Sequence, residues 1–358
     1  MSATRRDFLK QFLAFGAMLL LPGSSVGSRE GNSAENGPAA NADSWRPGYA
    51  LLEEKGLLSD RIDKAYALFE NCELCPRRCG VNRSKGETGV CRATDELVVY
   101  SRQPHFGEEL PLVGNRGSGT IFFSNCNLRC VFCQNWPIAH EGRGRKVSDE
   151  QLAGMMIDLQ NMGCHNINLV TPTHVMPNIL NATRIALKKG LRLPLCYNTG
   201  GYERTECIRM LDGIVDIYLP DLKFMDPEEA GRYAGAADDY PGRARAAIAE
   251  MHRQVGDTVV DPRRIATRGL MVRHLVMPNQ VAGTKDFVRW AAENLSVDTY
   301  VNIMSQYRVE HRAFEYPEIA RAIKPEEFVE AIDRAKAAGL ENLDRRSLSQ
   351  YEAMKRRM

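Results

Sequence analysis

Three cysteines packed into eight residues constrain this chain more than any other feature. Ser124-Asn125-Cys126-Asn127-Leu128-Arg129-Cys130-Val131-Phe132-Cys133 spaces Cys126, Cys130 and Cys133 as C-x3-C-x2-C, directly after an apolar run. Thiolates are soft ligands that suit iron–sulfur clusters. Three of them in one loop can hold three irons of a [4Fe-4S] cluster and leave the fourth iron open. An open coordination position marks a catalytic rather than a closed structural metal site. Asn125 and Asn127 favour a loop that wraps what it binds. A zinc knot or a disulfide set fits poorly, because the loop offers no fourth ligand.

Such a loop needs a rigid scaffold, and the sequence supplies one. Short apolar runs at 120–124, 166–170, 193–197, 214–219, 271–277 and 300–304 alternate with helical patterns. That alternation predicts βα units and an α/β fold with a parallel sheet. Six units close only part of a barrel, and catalytic groups then belong at the C-terminal ends of the strands. The helical pattern is clearest over 148–162. Ser148 and Gln151 form a capping box, and Leu152, Met155, Met156, Leu159 and Met162 share one face as core packing rather than a cofactor box. A second helix starts at Lys324-Pro325-Glu326, buries Phe328, Ile332 and Ala335, and stops at Gly339. Residues 341–358 read as a basic, polar, solvated tail.

The C-x3-C-x2-C spacing, the aromatic Phe132 before its last cysteine and the βα series behind it resemble the radical S-adenosylmethionine superfamily. Asp216-Ile217-Tyr218-Leu219-Pro220-Asp221-Leu222-Lys223 looks like the Asp-Leu-Lys strand end of glycyl-radical-enzyme activases. Asn198-Thr199-Gly200-Gly201 sits where those enzymes carry a polar turn. Residues 65–340 are similar to the uncharacterised iron–sulfur family named after the pyruvate formate-lyase activating enzyme. The resemblance implies a partial (β/α)6 barrel of the radical SAM type over 119–340, with a small N-terminal cysteine-rich module over 46–118. It also implies chemistry. An open iron chelates the amino and carboxylate groups of S-adenosyl-L-methionine, and one electron from a reductant protein cleaves it. The resulting 5′-deoxyadenosyl radical takes hydrogen from a substrate, either a protein glycine or a small molecule. Lys223 is the expected partner of the methionine carboxylate, and Asn198 and Thr199 of the ribose or methionine end. The superfamily usually carries Gly-Gly-Glu after the second strand. This chain has Thr171-Pro172-Thr173-His174, so Thr171 and its backbone are expected to replace that contact. His174 could reach the pocket, although a lone loop histidine is more often structural.

A second group, Cys72-x2-Cys75-x3-Cys79-x11-Cys91, offers four thiols with Pro76 and Gly80 for tight turns. Four cysteines close a metal shell completely, and either structural zinc or an auxiliary iron–sulfur cluster meets that description. After export, disulfides are a further option. Cys164, Cys196 and Cys207 read as buried and inert. Gly117-Ser118-Gly119 is too short for a phosphate loop.

The first residues address the compartment. Thr4-Arg5-Arg6-Asp7-Phe8-Leu9-Lys10 followed by a ten-residue apolar run, 12–21, is too short to span a bilayer of ~20 helical residues. It resembles a twin-arginine signal over 1–27, with a flexible tether over 28–45. That route implies the twin-arginine translocation machinery as a partner and export to the periplasm or cell envelope, with a cytoplasmic or membrane-tethered protein as the alternative. Lys+Arg total 47 against 45 Asp+Glu, so the chain lacks the basic excess of a nucleic-acid binder. A competing reading follows from export: a non-catalytic iron–sulfur electron carrier that kept the fold, away from cytoplasmic S-adenosylmethionine.

Overall fold

The computed structural model describes residues 45–358. The 1–27 signal and all but the last residue of the 28–45 tether lie outside the described residues. Among the described residues nine strands form one sheet: β1 Leu97–His105, β2 Ser118–Phe123, β3 Arg145–Val147, β4 Ile167–Val170, β5 Leu195–Thr199, β6 Ile217–Pro220, β7 Val259–Val260, β8 Ala266–Leu275 and β9 Tyr300–Met304. Its backbone is the parallel series β2-β4-β5-β6-β8-β9, a partial (β/α)6 barrel. Each of these six strands overlaps one of the apolar runs. β5 extends two residues further than expected, so Asn198 and Thr199 belong to a strand end rather than a turn.

Helices cover the outside of the sheet. Helix Asp149–Asn161 carries the Ser148/Gln151 capping box and buries Leu152, Met155, Met156 and Leu159. Met162 caps its end and is 48% exposed, because the helix stops before that residue returns to the core face. Helix Pro325–Ala337 buries Phe328, Ile332 and Ala335. Among the described residues no helix is long and apolar enough to cross a membrane.

The structure corrects two boundaries. Residues 46–118 do not form a module separate from the barrel. β1 pairs antiparallel with β2, and β3 with β1, which covers the β2 edge that the barrel would otherwise leave open. Helices Gly48–Glu54 and Leu58–Ala67 lie against helix Met176–Lys188. Asp216 fixes the first of them, accepting from Gly48 N at 2.9 Å and from Leu195 N at 3.0 Å. Residues 341–358 are not a solvated tail either. Asp344 accepts from Ser347 N to start helix Arg345–Lys355, Asp344 N donates to Val301 O at 2.9 Å, and Tyr351 is buried. One apolar-bodied tyrosine and one cap dock a segment whose composition reads as polar.

Candidate cluster and cofactor site

The cysteine loop leaves β2 at its C-terminal end and is tied down residue by residue. Asn125 turns the chain through a positive φ of 73°. Ser124 Oγ donates to Arg143 O at 2.6 Å, and Asn127 Nδ2 to Tyr202 O at 2.6 Å. Val131 N donates to Tyr233 O at 2.9 Å, and Val131 O accepts from Arg312 N at 2.8 Å. These bonds aim Cys126, Cys130 and Cys133 into one cleft of about 1030 Å³, its solvent mouth included. Burial pushes all three thiols up to about 12, and Lys223 only partly counters it. Neutral at rest, they deprotonate on binding a cation, as metal-ligating thiols do. Three soft donors facing one cleft beside a cationic side chain fit a four-iron cluster with one open iron.

The same cleft is lined by Thr171, Asn198, Thr199, Gly200, Asp221, Lys223 and Arg273, so every cofactor-binding residue expected from the sequence borders it. Thr171 holds φ at +61°, unfavourable for a β-branched residue. Its N–H donates to Asn198 O at 2.9 Å. Such strain persists where surrounding structure imposes it, and it clusters at ligand clamps. Lys223 Nζ donates to Asp221 Oδ2 at 2.5 Å, and Lys223 N to Tyr240 Oη at 2.9 Å. Burial works against the Lys223 ammonium, but Asp221 and Cys130 outweigh it and hold its pKa above the ordinary value. Gly201 cannot carry a side chain here: φ is +81° and a Cβ would stand 2.2 Å from Asp221 O.

Two functional-looking residues escaped the sequence reading. Arg273, on β8, donates from Nε to Asp221 Oδ1 at 2.7 Å and from Nη2 to Asn198 Oδ1 at 2.6 Å. Burial opposes ionisation of Asp221, yet Arg273 and Lys223 keep its carboxyl below the usual range. A basic residue alternating with apolar ones inside the run 271–277 was the only available signal. Glu203 sits beneath the turn where the superfamily's glutamate is missing. It accepts from the Thr173 and Thr199 hydroxyls, its Oε2 has no partner, and burial pushes it up to about 7. His174 does not line the cleft. Its Nε2 meets Ser124 O at 2.7 Å and burial lowers it to about 3, so a neutral imidazole supports the start of the cysteine loop.

Cys72, Cys75 and Cys91 are buried, Cys79 is half-buried, and none of the ten cysteines is in a disulfide. Cys72 and Gly80 face each other across a short turn, with Cys72 N to Val81 O at 2.9 Å and Gly80 N to Cys72 O at 3.1 Å. Cys164, Cys196 and Cys207 are buried away from the cleft lining.

Residues 120–261 match the model of the Radical SAM superfamily, and the chain belongs to that superfamily. It is 32% identical over 295 residues to the uncharacterised protein MJ0674 of Methanocaldococcus jannaschii, covering 80% of each chain. Among solved structures, it resembles HydG, a maturase of the [FeFe]-hydrogenase, with a TM-score of 0.44 and 11% identity over 64% of this chain and 53% of that one. It also resembles native anSMEcpe with bound AdoMet, with a TM-score of 0.41 and 13% identity over 60% of this chain and 57% of that one. Methylornithine synthase gives a TM-score of 0.39 at 13% identity, over 84% and 82% of the two chains.

Proposed function

We propose that this radical SAM enzyme uses Cys126, Cys130 and Cys133 to hold the [4Fe-4S] cluster, and Lys223, Asn198, Thr199 and Thr171 to hold S-adenosyl-L-methionine. The observation that carries the reading is one cleft lined by the three thiols and the Asp221-paired Lys223. When bound, the cluster supplies one-electron reductive cleavage of S-adenosylmethionine and, through it, hydrogen abstraction from a substrate. The chain's own residues do the positioning. Lys223 offers a fixed ammonium to the methionine carboxylate, at a position set by Asp221 and the Tyr240 hydroxyl. Arg273 holds Asn198 Oδ1 and so leaves its amide group to face the cofactor. The strained Thr171 turn and the glycines at 200 and 201 bring main chain close to the ligand. Buried side chains such as Leu128 and Phe132 exclude water around the thiols.

The exposed lining residues Gln134, Asn135 and Gln306 mark where a substrate would enter the cleft. An activase-like role on a protein glycine draws support from the Asp221-Leu222-Lys223 strand end alone. The test is electron paramagnetic resonance of the anaerobically reconstituted, dithionite-reduced protein with and without S-adenosylmethionine. A change in the cluster signal that is absent in Cys130→Ala is expected. A reducible signal indifferent to S-adenosylmethionine would overturn the reading in favour of a non-catalytic electron carrier. Export is proposed from Arg5-Arg6 and the residues behind them. A periplasmic chain beginning near residue 28 supports it, and an intact cytoplasmic chain contradicts it.

A further inference from the structure

The second cysteine group has no part in holding S-adenosylmethionine, yet the fold stitches it to the first. Arg77, two residues after Cys75, donates from Nε to Asn127 O at 3.2 Å, beside Cys126. Its Nη2 and Nη1 reach Gly235 O at 2.6 Å and Ala236 O at 2.9 Å. Gly235 in turn presses on Arg129, where a Cβ would come within 2.6 Å of the Arg129 side chain. One arginine therefore locks the Cys72–Cys79 turn against the loop of the first triad.

Gly89 brings the last cysteine in. A Cβ there would stand 2.4 Å from Cys79 Sγ, so only glycine lets the segment leading to Cys91 lie on Cys79. Val90 N points at the same sulfur, 3.5 Å away. Between the two groups lies Arg129, with a buried Nη1 that has no partner. A guanidinium at that place would offset the negative charge of clusters on both groups.

Four thiolates complete either a zinc shell or a four-iron cluster, and the Arg77 link to the first triad favours the redox-active one. Zinc needs its sulfurs about 2.3 Å from one point, whereas a four-iron cluster binds each sulfur to a different iron and spreads them apart. The group is also reachable from outside. Cys79 is half-buried, and the exposed charges of residues 78–92 are Arg78, Lys85 and Arg92 against Glu87, a net basic stretch suited to an acidic one-electron donor protein.

We propose that Cys72, Cys75, Cys79 and Cys91 hold a second four-iron cluster that passes single electrons to the cluster on Cys126, Cys130 and Cys133. The relay role rests on the function proposed above; the presence of the second cluster does not. The step balances with one electron: the donor protein reduces the outer cluster, which is reoxidised as the inner one is reduced, with no bond made or broken and no proton moved.

The test measures iron, zinc and paramagnetic signals in three full-length proteins reconstituted anaerobically with iron and sulfide. The wild type should carry about eight irons, and the Cys126→Ala/Cys130→Ala/Cys133→Ala variant about four, with a signal indifferent to S-adenosylmethionine. Cys75→Ala/Cys79→Ala should keep about four irons and the S-adenosylmethionine-sensitive signal. It should lose inner-cluster reduction by reduced flavodoxin while keeping reduction by dithionite. Zinc, or no metal, in the triple variant overturns the second cluster. Undiminished reduction by flavodoxin in the double variant overturns the relay. Should the double variant fail to fold, the triple variant and an Arg129→Gln variant still decide. Arg129→Gln should shift the midpoint potentials of both signals downward, and a shift confined to the inner signal overturns the shared placement. An inner signal indifferent to S-adenosylmethionine beside an intact outer one would sink the proposed function and leave the second cluster standing.

Discussion

Replacing Glu203 by glutamine should remove a specific part of the chain's pH-dependent stability. Burial carries this carboxyl from 4.5 to about 7. Between those values the folded chain keeps a proton that the unfolded chain has released, so stability falls as pH rises through the window and levels off above it. A displacement of that size corresponds to about 3 kcal/mol. In Glu203→Gln the Oε1 acceptor for Thr173 and Thr199 survives, and the amide nitrogen stands where Oε2 has no partner. Whatever constant cost that nitrogen carries, it does not change with pH. Asp216 and Glu109 are also pushed up to about 7, but they are present in both proteins and cancel. The assay is urea unfolding of the cluster-free, reduced proteins followed by circular dichroism from pH 5 to pH 8. The variant should gain about 2–3 kcal/mol on the wild type across that range. Parallel stability curves would refute the burial argument for Glu203.

Three further outcomes follow from the geometry. Lys223→Ala should weaken S-adenosylmethionine binding roughly 10- to 100-fold, the worth of a hydrogen bond to a charged group, while Arg273 still satisfies Asp221; equilibrium dialysis on the reconstituted protein measures it, and unchanged affinity removes Lys223 from the site. Gly201→Ala should cost about 1–3 kcal/mol or more, because φ is +81° and the new methyl meets Asp221 O at 2.2 Å; thermal unfolding reads this out, and a melting temperature within a degree of wild type contradicts it. Ending the chain after residue 340 should lower the melting temperature by several degrees, because Asp344, whose N–H donates to Val301 O and whose carboxylate accepts from the Tyr300 hydroxyl, is lost with Tyr351; an unchanged transition would restore the solvated-tail reading.

Much of the scaffold was legible because parallel strands buried on both faces read as apolar runs, and β2, β4, β5, β6, β8 and β9 all do. Capping chemistry at Ser148 and the Pro325 start were equally local signals. What the sequence hid was long-range pairing. β1 has an edge-strand pattern of mixed burial, so nothing in it announces that it closes the β2 edge. The C-terminal helix docks through Asp344 and Tyr351, and its composition is that of a solvated segment. The site divides along the same line. The cysteine loop and the 221–223 strand end are short motifs and stand out by spacing. Arg273 and Glu203 act through partners 52, 30 and 4 residues away, and only the folded chain brings them there. His174 shows the reverse case, a polar residue near a motif whose ring is spent on Ser124 O.

The most direct test of radical initiation is product formation. The chain is reconstituted anaerobically with iron and sulfide, reduced with dithionite and incubated with S-adenosylmethionine, beside Cys130→Ala. The account requires 5′-deoxyadenosine and methionine in equal amounts from the wild type and none from the variant. A fully loaded, reducible wild-type cluster that leaves S-adenosylmethionine intact would contradict it.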